Sequence, residues 1–345
     1  MPELRRDPIT GRWVIIAQER GERPYDFIKE KDKTKGGFCP LCPGNEKTTP
    51  PEVLAYGRPY YNPNGEGWQL RVVPNKYPAL IIEGDLDKRG EGIYDKMNGI
   101  GAHEVIIETP DHHSTIDELE HDKLELIFRA YRDRILDLSK DTRFKYIIIF
   151  KNYGKSAGAS LEHSHSQLIA LPVIPNRIQE ELDGCLRYYD YKERCAFCDI
   201  IHQEQSQNIR IVWENEEFIS ICPFASRAPF EMVVMPKRHQ SRFVSMDDRQ
   251  FSALTELFSV TMKRLNAVVP GVSYNYMLHT APINQHSLEH YHWHIEIMPK
   301  LTTIAGFEWG TEFYINPSPP EECARLLCST NTNQEIGQDI ENNNL

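Results

Sequence analysis

Gly158-Ala-Ser-Leu-Glu-His163-Ser-His165-Ser-Gln167-Leu-Ile-Ala-Leu-Pro172 is the stretch around which this chain is organised. In an extended strand successive side chains alternate faces, so His163, His165 and Gln167 share one side and Ser164, Ser166 and Leu168 the other. Two imidazoles and an amide therefore stand on one surface, preceded by a small, Gly-containing turn. An imidazole binds metal, moves a proton or attacks an electrophile, and such a turn lets backbone amides approach an anion. A lone His-x-His is more often structural. The rest of the chain argues for chemistry here.

The chain has 345 residues, enough for two domains with a substantial core. It is 40% hydrophobic and 26% charged, the balance of a soluble globular protein. No run approaches the roughly 18 apolar residues of a membrane span, and Met-Pro-Glu-Leu-Arg-Arg-Asp7 lacks the apolar segment of a signal peptide, so a cytoplasmic protein is expected. A net charge of -11 argues against nonspecific nucleic-acid binding while leaving room for one small phosphate ligand.

Four of the eight cysteines form two Cys-x-x-Cys pairs, Cys39-Pro-Leu-Cys42 and Cys195-Ala-Phe-Cys198. In a cytosolic chain such pairs point to metal or redox chemistry, and neither lies in the strand-to-helix setting that redox use requires. They are too far apart to share one metal as a zinc ribbon does, so each is expected to recruit histidines from its own half.

Strands are expected at 69–74, 79–83, 103–108 and 146–151, and amphipathic helices at 117–140 and 247–267. The second half repeats the first. Glu104-Val-Ile-Ile-Glu-Thr-Pro-Asp-His112 aligns without a gap on Glu231-Met-Val-Val-Met-Pro-Lys-Arg-His239, and His163 through Pro172 on His290 through Pro299. A linker is expected at about 175–193. The first metal set is then Cys39, Cys42, His112 and His163, with His113 competing for the third place. Four protein ligands make such a zinc structural and leave His165 free. The second set is Cys195, Cys198, His239 and either His290 or His292, with the gap-free alignment favouring His290.

Taken together, Cys-x-x-Cys, Asn152 before a Gly/Ser loop and His-x-His-x-Gln, in a duplicated chain, resemble the galactose-1-phosphate uridylyltransferase family of the histidine-triad superfamily. The resemblance runs from about residue 5 to 328 and includes Asp7-Pro-Ile-Thr-Gly-Arg-Trp13 and Arg20-x-x-Arg23-Pro. It implies an α+β fold of two fused histidine-triad-like domains, each an antiparallel sheet with packed helices. These would be a catalytic domain at 1–175 and a second at 190–328, in a homodimer, with 329–345 a disordered tail. It also implies that His165 is a nucleophile forming a nucleotidyl-histidine intermediate and that Gln167 hydrogen-bonds the transferred phosphoryl group. Two-step transfer through one site gives ping-pong kinetics. Arg20, Arg23, Asn75, Asn152, Gly158 and Ser160 fall at nucleotide-contacting positions. Chemically, neutral imidazole can attack an α-phosphorus, and the transition state needs donors such as Gln167, Ser160 and the amides near Gly158.

In the second half the resemblance favours His292 as the fourth ligand, giving two structural zinc ions per chain, and reads His292 as the retired counterpart of His165. Other members bind metal there through a Glu and several His, an arrangement that His279, His294 and Glu180 or Glu181 keep open. Ala305-Gly306-Phe307-Glu308 resembles the sugar-phosphate segment, yet Thr302 and Tyr314 stand where better known uridylyltransferases have Lys and Gln. The expected activity is exchange of UMP between UDP-glucose and a hexose 1-phosphate such as galactose 1-phosphate. The alternative, from Gly306-Phe-Glu-x-Gly-Thr, Tyr314-Ile-Asn-Pro and the Ser inside His-x-His, is ADP-glucose phosphorylase, with phosphate as acceptor. No nucleic-acid or membrane partner is expected.

Overall fold

The computed structural model describes residues 1–20, 37–58, 62–283, 285 and 287–330. Arg23 and residues 331–345 of the expected tail lie outside them, and of Arg20 only the backbone is described. In chain order the elements are β1 (Glu3–Arg6), β2 (Trp13–Ile16), β3 (Leu54–Tyr56), β4 (Leu70–Pro74), β5 (Arg89–Glu91), β6 (Tyr94–Lys96) and β7 (Ala102–Ile107). Then come α1 (His121–Leu138), β8 (Tyr146–Tyr153), β9 (His165–Leu171), α2 (Asn176–Lys192), α3 (Ala196–Gln207), β10 (Ile211–Glu214), β11 (Phe218–Ile221) and β12 (Met232–Pro236). The chain continues through α4 (Asp248–Val268), β13 (Tyr274–His279), β14 (His294–Pro299), α5 (Gly306–Thr311), β15 (Tyr314–Asn316) and α6 (Pro320–Cys328).

Ten strands form one antiparallel sheet in the order β10-β11-β12-β14-β13-β8-β9-β7-β4-β3. The halves join where β8 pairs with β13, and the register sets Phe150 against Met277. Phe150 also faces Gln167 on β9, and Met277 faces Glu296 on β14. The repeat is thus a local two-fold relation about the Phe150–Met277 pair, and the two half-sheets become one.

Period-two alternation divides the strands between two faces. On one face Leu70, Val72, Ile106, Ile147, Leu168, Leu278, Ile295 and Ile297 pack under α1 and α4 in the main core. Leu124, Ile127, Phe128 and Tyr131 form the buried stripe of α1, at helical spacing. Asp247 caps α4, accepting from the Gln250 amide at 2.8 Å in a capping box. On the opposite face α2 and α3 cover the second half and the edge of β8, with Ile178, Leu182, Cys185, Phe197 and Ile201 against Tyr146, Ile219, Ile221 and Met235. Over the first half that face carries the loop of Cys39, Leu41 and Trp68 on Val73 and Ile107. The sheet around His165 and Gln167 is reached from this side.

One expectation needs correction. Residues 79–83 form no strand, only an isolated Ile81–Ile100 bridge. The expected linker folds as α2, ended by Glu193 in the left-handed region. The N-terminal strands pair among themselves and with β15, far along the chain, in a three-stranded sheet. No described helix is long and apolar enough to cross a membrane.

Candidate functional site

His165 opens β9 and is buried. Its Nδ1 donates to the His163 carbonyl at 2.8 Å. That bond puts the ring proton on Nδ1 and leaves the Nε2 lone pair free, with no protein partner among the described residues. Burial pushes the His165 pKa down and outweighs the bond to the His163 carbonyl, so the ring is neutral at physiological pH. An uncharged imidazole with a free Nε2 is a nucleophile.

Behind β9 lies a buried polar network. Lys151 pairs with Glu108 and donates to Ser164 Oγ at 2.9 Å and to the His165 carbonyl at 3.1 Å. Ser164 donates to Glu108 at 2.7 Å, and Tyr131 donates to Ser166 at 2.7 Å. Burial raises the Glu108 carboxyl, but the Lys151 ammonium and the hydroxyl donors outweigh it and hold it below its ordinary value. These groups tether the backbone of His165 from the core side.

In front, Gly158 takes φ 87° and ends a short 3-10 turn, a conformation that favours glycine, and exposed Ser160 follows it. Asn152 accepts from Asn275 at 2.8 Å, which leaves its own amide hydrogens free. Gln167 Oε1 lies 2.9 Å from His103 Nε2, and Asn75 Nδ2 lies 3.2 Å from the same nitrogen. Asn75, Asn152, His165 and Gln167 thus line one region of the first half. Glu308 caps α5 through the Ala305 amide at 3.1 Å. Phe307 is 48% exposed and does not pack into the sheet. Glu308 also lines a cavity of about 270 Å³ with Arg177, Asn275, Lys300, Thr302 and Tyr314. Among the described residues no hydrogen bond, ion pair or ring contact joins Gly306, Phe307 or Glu308 to His165. Sequence reading missed His103, Lys151, Glu108 and Asn275. Only His103 carried a signal, since it alternates onto the Gln167 face of a recognised strand.

Both Cys/His sets assemble. Cys39, Cys42, His112 and His163 come together, as do Cys195, Cys198, His239 and His292. Cys42 Sγ is 3.2 Å from His112 Nδ1 and 3.5 Å from His163 Nδ1, near the ~3.5 Å edge of a tetrahedral zinc site. His163 Nε2 donates to the Thr109 carbonyl at 2.7 Å, and His292 Nε2 to the Pro236 carbonyl at 2.8 Å. Each ring proton is therefore held away and Nδ1 is turned to the thiolates, as in a metal-binding histidine whose other ring nitrogen is tied to a carbonyl. His290 and His113 are not in either set.

This settles the internal alignment differently from the gap-free reading. His292 matches His163, so the counterpart of His165 is His294, which also opens its strand and bonds the carbonyl two residues back, at 3.1 Å. Gln167 then matches Glu296. His294 belongs to a third buried group with Glu181 and His279. His279 stacks on His294 at 4.7 Å, and its Nδ1 is 3.5 Å from Glu181, too long for a hydrogen bond. Among the described residues both His279 nitrogens and one Glu181 oxygen lack hydrogen-bond partners. Two imidazoles and a carboxylate with orphaned atoms suit a divalent cation, and they coexist with the cysteine set. The two arrangements are separate places, not alternatives for one.

A sheet of two pseudo-symmetric halves, each with His-x-His at the head of a strand and a Cys/His knuckle beside it, defines a duplicated histidine-triad fold. A family model described as "Galactose-1-phosphate uridyl transferase, N-terminal domain" matches residues 1–175, and a "Domain of unknown function (DUF4921)" matches residues 101–342. The Arabidopsis thaliana protein named "ADP-glucose phosphorylase" is 37% identical over 333 residues, 94% of this chain and 92% of that one. "Galactose-1-phosphate uridylyltransferase" of Thermotoga maritima is 31% identical, covering 96% of this chain and 99% of that one. The crystal structure of the Arabidopsis ADP-glucose phosphorylase with bound ADP-glucose superposes with a TM-score of 0.81 at 34% identity, covering 96% of this chain and 99% of that one. A structure described as "Structure of uridylyltransferase" gives 0.74 at 28%, covering 95% and 98%. The chain belongs to the galactose-1-phosphate uridylyltransferase family of nucleotidyltransferases.

Proposed function

We propose that this chain transfers a nucleotidyl group from a nucleotide sugar through His165, with adenylyl transfer from ADP-glucose to inorganic phosphate as the activity its features favour. The observation that carries the chemistry is the Nδ1 bond to the His163 carbonyl, which leaves a neutral ring with Nε2 free. Nε2 attacks the α-phosphorus, the N–P bond forms as the bond to the departing sugar phosphate breaks, and the acceptor oxygen then reverses the step on the same atom. Gln167, Asn75, Asn152, Ser160 and the amides after Gly158 supply donors to the charge that builds on the phosphoryl oxygens.

ADP-glucose takes precedence over UDP-glucose because likeness to the Arabidopsis phosphorylase is greater in both sequence and structure than likeness to the uridylyltransferases named above. Thr302 and Tyr314 agree with it, since they replace the Lys and Gln expected around a hexose phosphate. The uridylyl reading stands second, on 31% identity across nearly the whole Thermotoga protein. The test is intact mass after mixing the protein with each sugar separately. An AMP-sized adduct, absent from His165→Ala, is expected; a UMP-sized adduct alone transfers the assignment to the second reading.

The two Cys/His sets each hold one structural zinc in this proposal, which fixes His163 two residues before the nucleophile. Elemental analysis should find at least two zinc ions per chain, and one or none would sink the assignment. Assembly as a homodimer completes the reading.

A further inference from the structure

His103 sits on β7, on the sheet face shared with Gln167, and nothing in the transfer chemistry above uses it. Its ring is held on both sides. The Ala79 backbone amide lies 3.2 Å from Nδ1, and Gln167 Oε1 lies 2.9 Å from Nε2. A backbone N–H can only donate, so Nδ1 must accept, and the proton of the neutral ring is on Nε2. Nε2–H then donates to Gln167, whose acceptor toward His103 has to be its carbonyl oxygen. The amide NH2 of Gln167 is thereby turned away from His103, and it has no hydrogen-bond partner among the described residues.

The same logic fixes Asn75. The Tyr77 amide donates to Asn75 Oδ1 at 2.8 Å, so the Asn75 NH2 faces the ring at 3.2 Å, where Nε2 already carries a proton and cannot accept from it. The Asn75 amide also donates from its backbone to the His103 carbonyl at 2.7 Å, which holds the loop against β7. Two side-chain amides are left with their donors unspent beside the nucleophile. A carboxamide free to rotate presents oxygen and NH2 with similar ease, and an oxygen aimed at a phosphoryl group would repel it. In the second half Glu231 stands where His103 does and Glu296 where Gln167 does, and Arg227 bridges the two carboxylates at short range.

We propose that His103 is a positioning residue for nucleotidyl transfer: locked in its Nε2–H form by the Ala79 amide, it orients Gln167 so that the NH2 group faces the phosphoryl group being transferred. This rests on the reading of His165 as nucleophile. His103 acts only through Gln167, so its effect must vanish when Gln167 is gone.

The experiment is a double-mutant cycle on the rate of adduct formation, followed by rapid quench and intact mass with ADP-glucose and, in parallel, UDP-glucose. His103→Phe keeps the ring shape and loses the donor; Gln167→Ala removes the oriented group. Loss of one preorganised donor costs about 10²-fold, so Gln167→Ala is expected to slow the adduct by that order, and His103→Phe, which leaves the amide in place but free to turn, by a smaller few-fold factor, each with little change in half-saturating sugar. The double variant should be no slower than Gln167→Ala alone. His103→Gln, which restores an amide donor, should recover part of the rate. If His103→Phe reacts at the wild-type rate, or slows the Gln167→Ala background further, the inference fails, and damage to the fold would show as that second result. A wild-type protein that forms no adduct with either sugar overturns the parent reading instead.

Discussion

At the head of β9, His165 has an Nε2 without a partner among the described residues and a Gly/Ser turn in front of it, while at the head of β14 its counterpart His294 meets Glu181 at 3.8 Å and the Phe197 ring at 4.8 Å. The cavity against His294 measures about 90 Å³, far below the roughly 300 Å³ of a small-molecule site. The strand and its carbonyl-bonded imidazole are common to both halves. What differs is the covering: α2 and α3 lie across the second half and, among the described residues, reach the first half's sheet only at Tyr146 and Ile148 of β8. The imidazole and its tautomer come from the strand in both halves, so in the proposed transfer it is the covering that separates the two copies.

The largest effect that can break this comparison is the stoichiometry of the covalent intermediate. Wild type should carry one nucleotidyl group per chain, and His165→Ala none, with transfer reduced by at least about 10³-fold, because the intact His294 cannot take over. Mapping an adduct to His294 in either protein would mean that the covering does not exclude substrate, and the argument from access would be lost.

The faces turned to the core differ as well. Behind β9 are Lys151, Ser164 and Ser166; at the matching places behind β14 are Leu278, Trp293 and Ile295, all buried and apolar. Lys151→Met strands the Glu108 carboxylate in the core, and breaking a buried pair this way costs about 3–5 kcal/mol. Replacing both partners, Lys151→Met with Glu108→Met, mimics the second half and should recover most of that loss, since well-packed apolar residues replace buried ion pairs at little cost. Urea unfolding of the three proteins decides it. A double variant as unstable as the single would show that the network is needed for folding and not only for holding His165.

These contrasts mark how much was legible in the chain. The knuckles were, because Cys-x-x-Cys fixes two ligands and the repeat supplies a third. So were α1, α4 and β7 to β9, whose apolar positions follow one period throughout. The equivalence of His294 with His165 was not. A shift of two residues leaves every side chain of a strand on its original face, so alternation could not separate His290, His292 and His294. Lys151 ends an apolar run and reads as an edge charge; only the pairing of β8 with β9 buries it against Glu108. The β2–β15 pairing joins residues some 300 apart, and nothing local encodes it.

The smallest effect concerns the two ends of the ten-stranded sheet, where each half closes with a buried Glu–Arg pair in different company. At the β3 end Glu52 binds Arg58 and Arg71 and accepts from the Asn64 amide at 2.9 Å. Burial raises its carboxyl, but these donors prevail and hold it at about 2, against an ordinary 4.5. At the β10 end Glu204 has Arg210 on one oxygen while the other is buried without a partner among the described residues. There burial outweighs Arg210, and the carboxyl is raised. The signs are opposite. Glu52 contributes stability that is complete above pH 4.5 and is lost as pH falls toward 2; Glu204 costs stability as pH rises through its raised value. Glu52→Gln should therefore lose about 2 kcal/mol at pH 7, after allowing for its partial exposure, and the gap should close on acidification below pH 4. Glu204→Gln should stay within about 1 kcal/mol of wild type at pH 7 and gain relative to it as pH rises from 4 to 7. Urea unfolding at pH 7, 4 and 3 separates the two. Parallel pH profiles for both variants would show that the two ends are held alike and that the orphaned Glu204 oxygen finds a donor in solution.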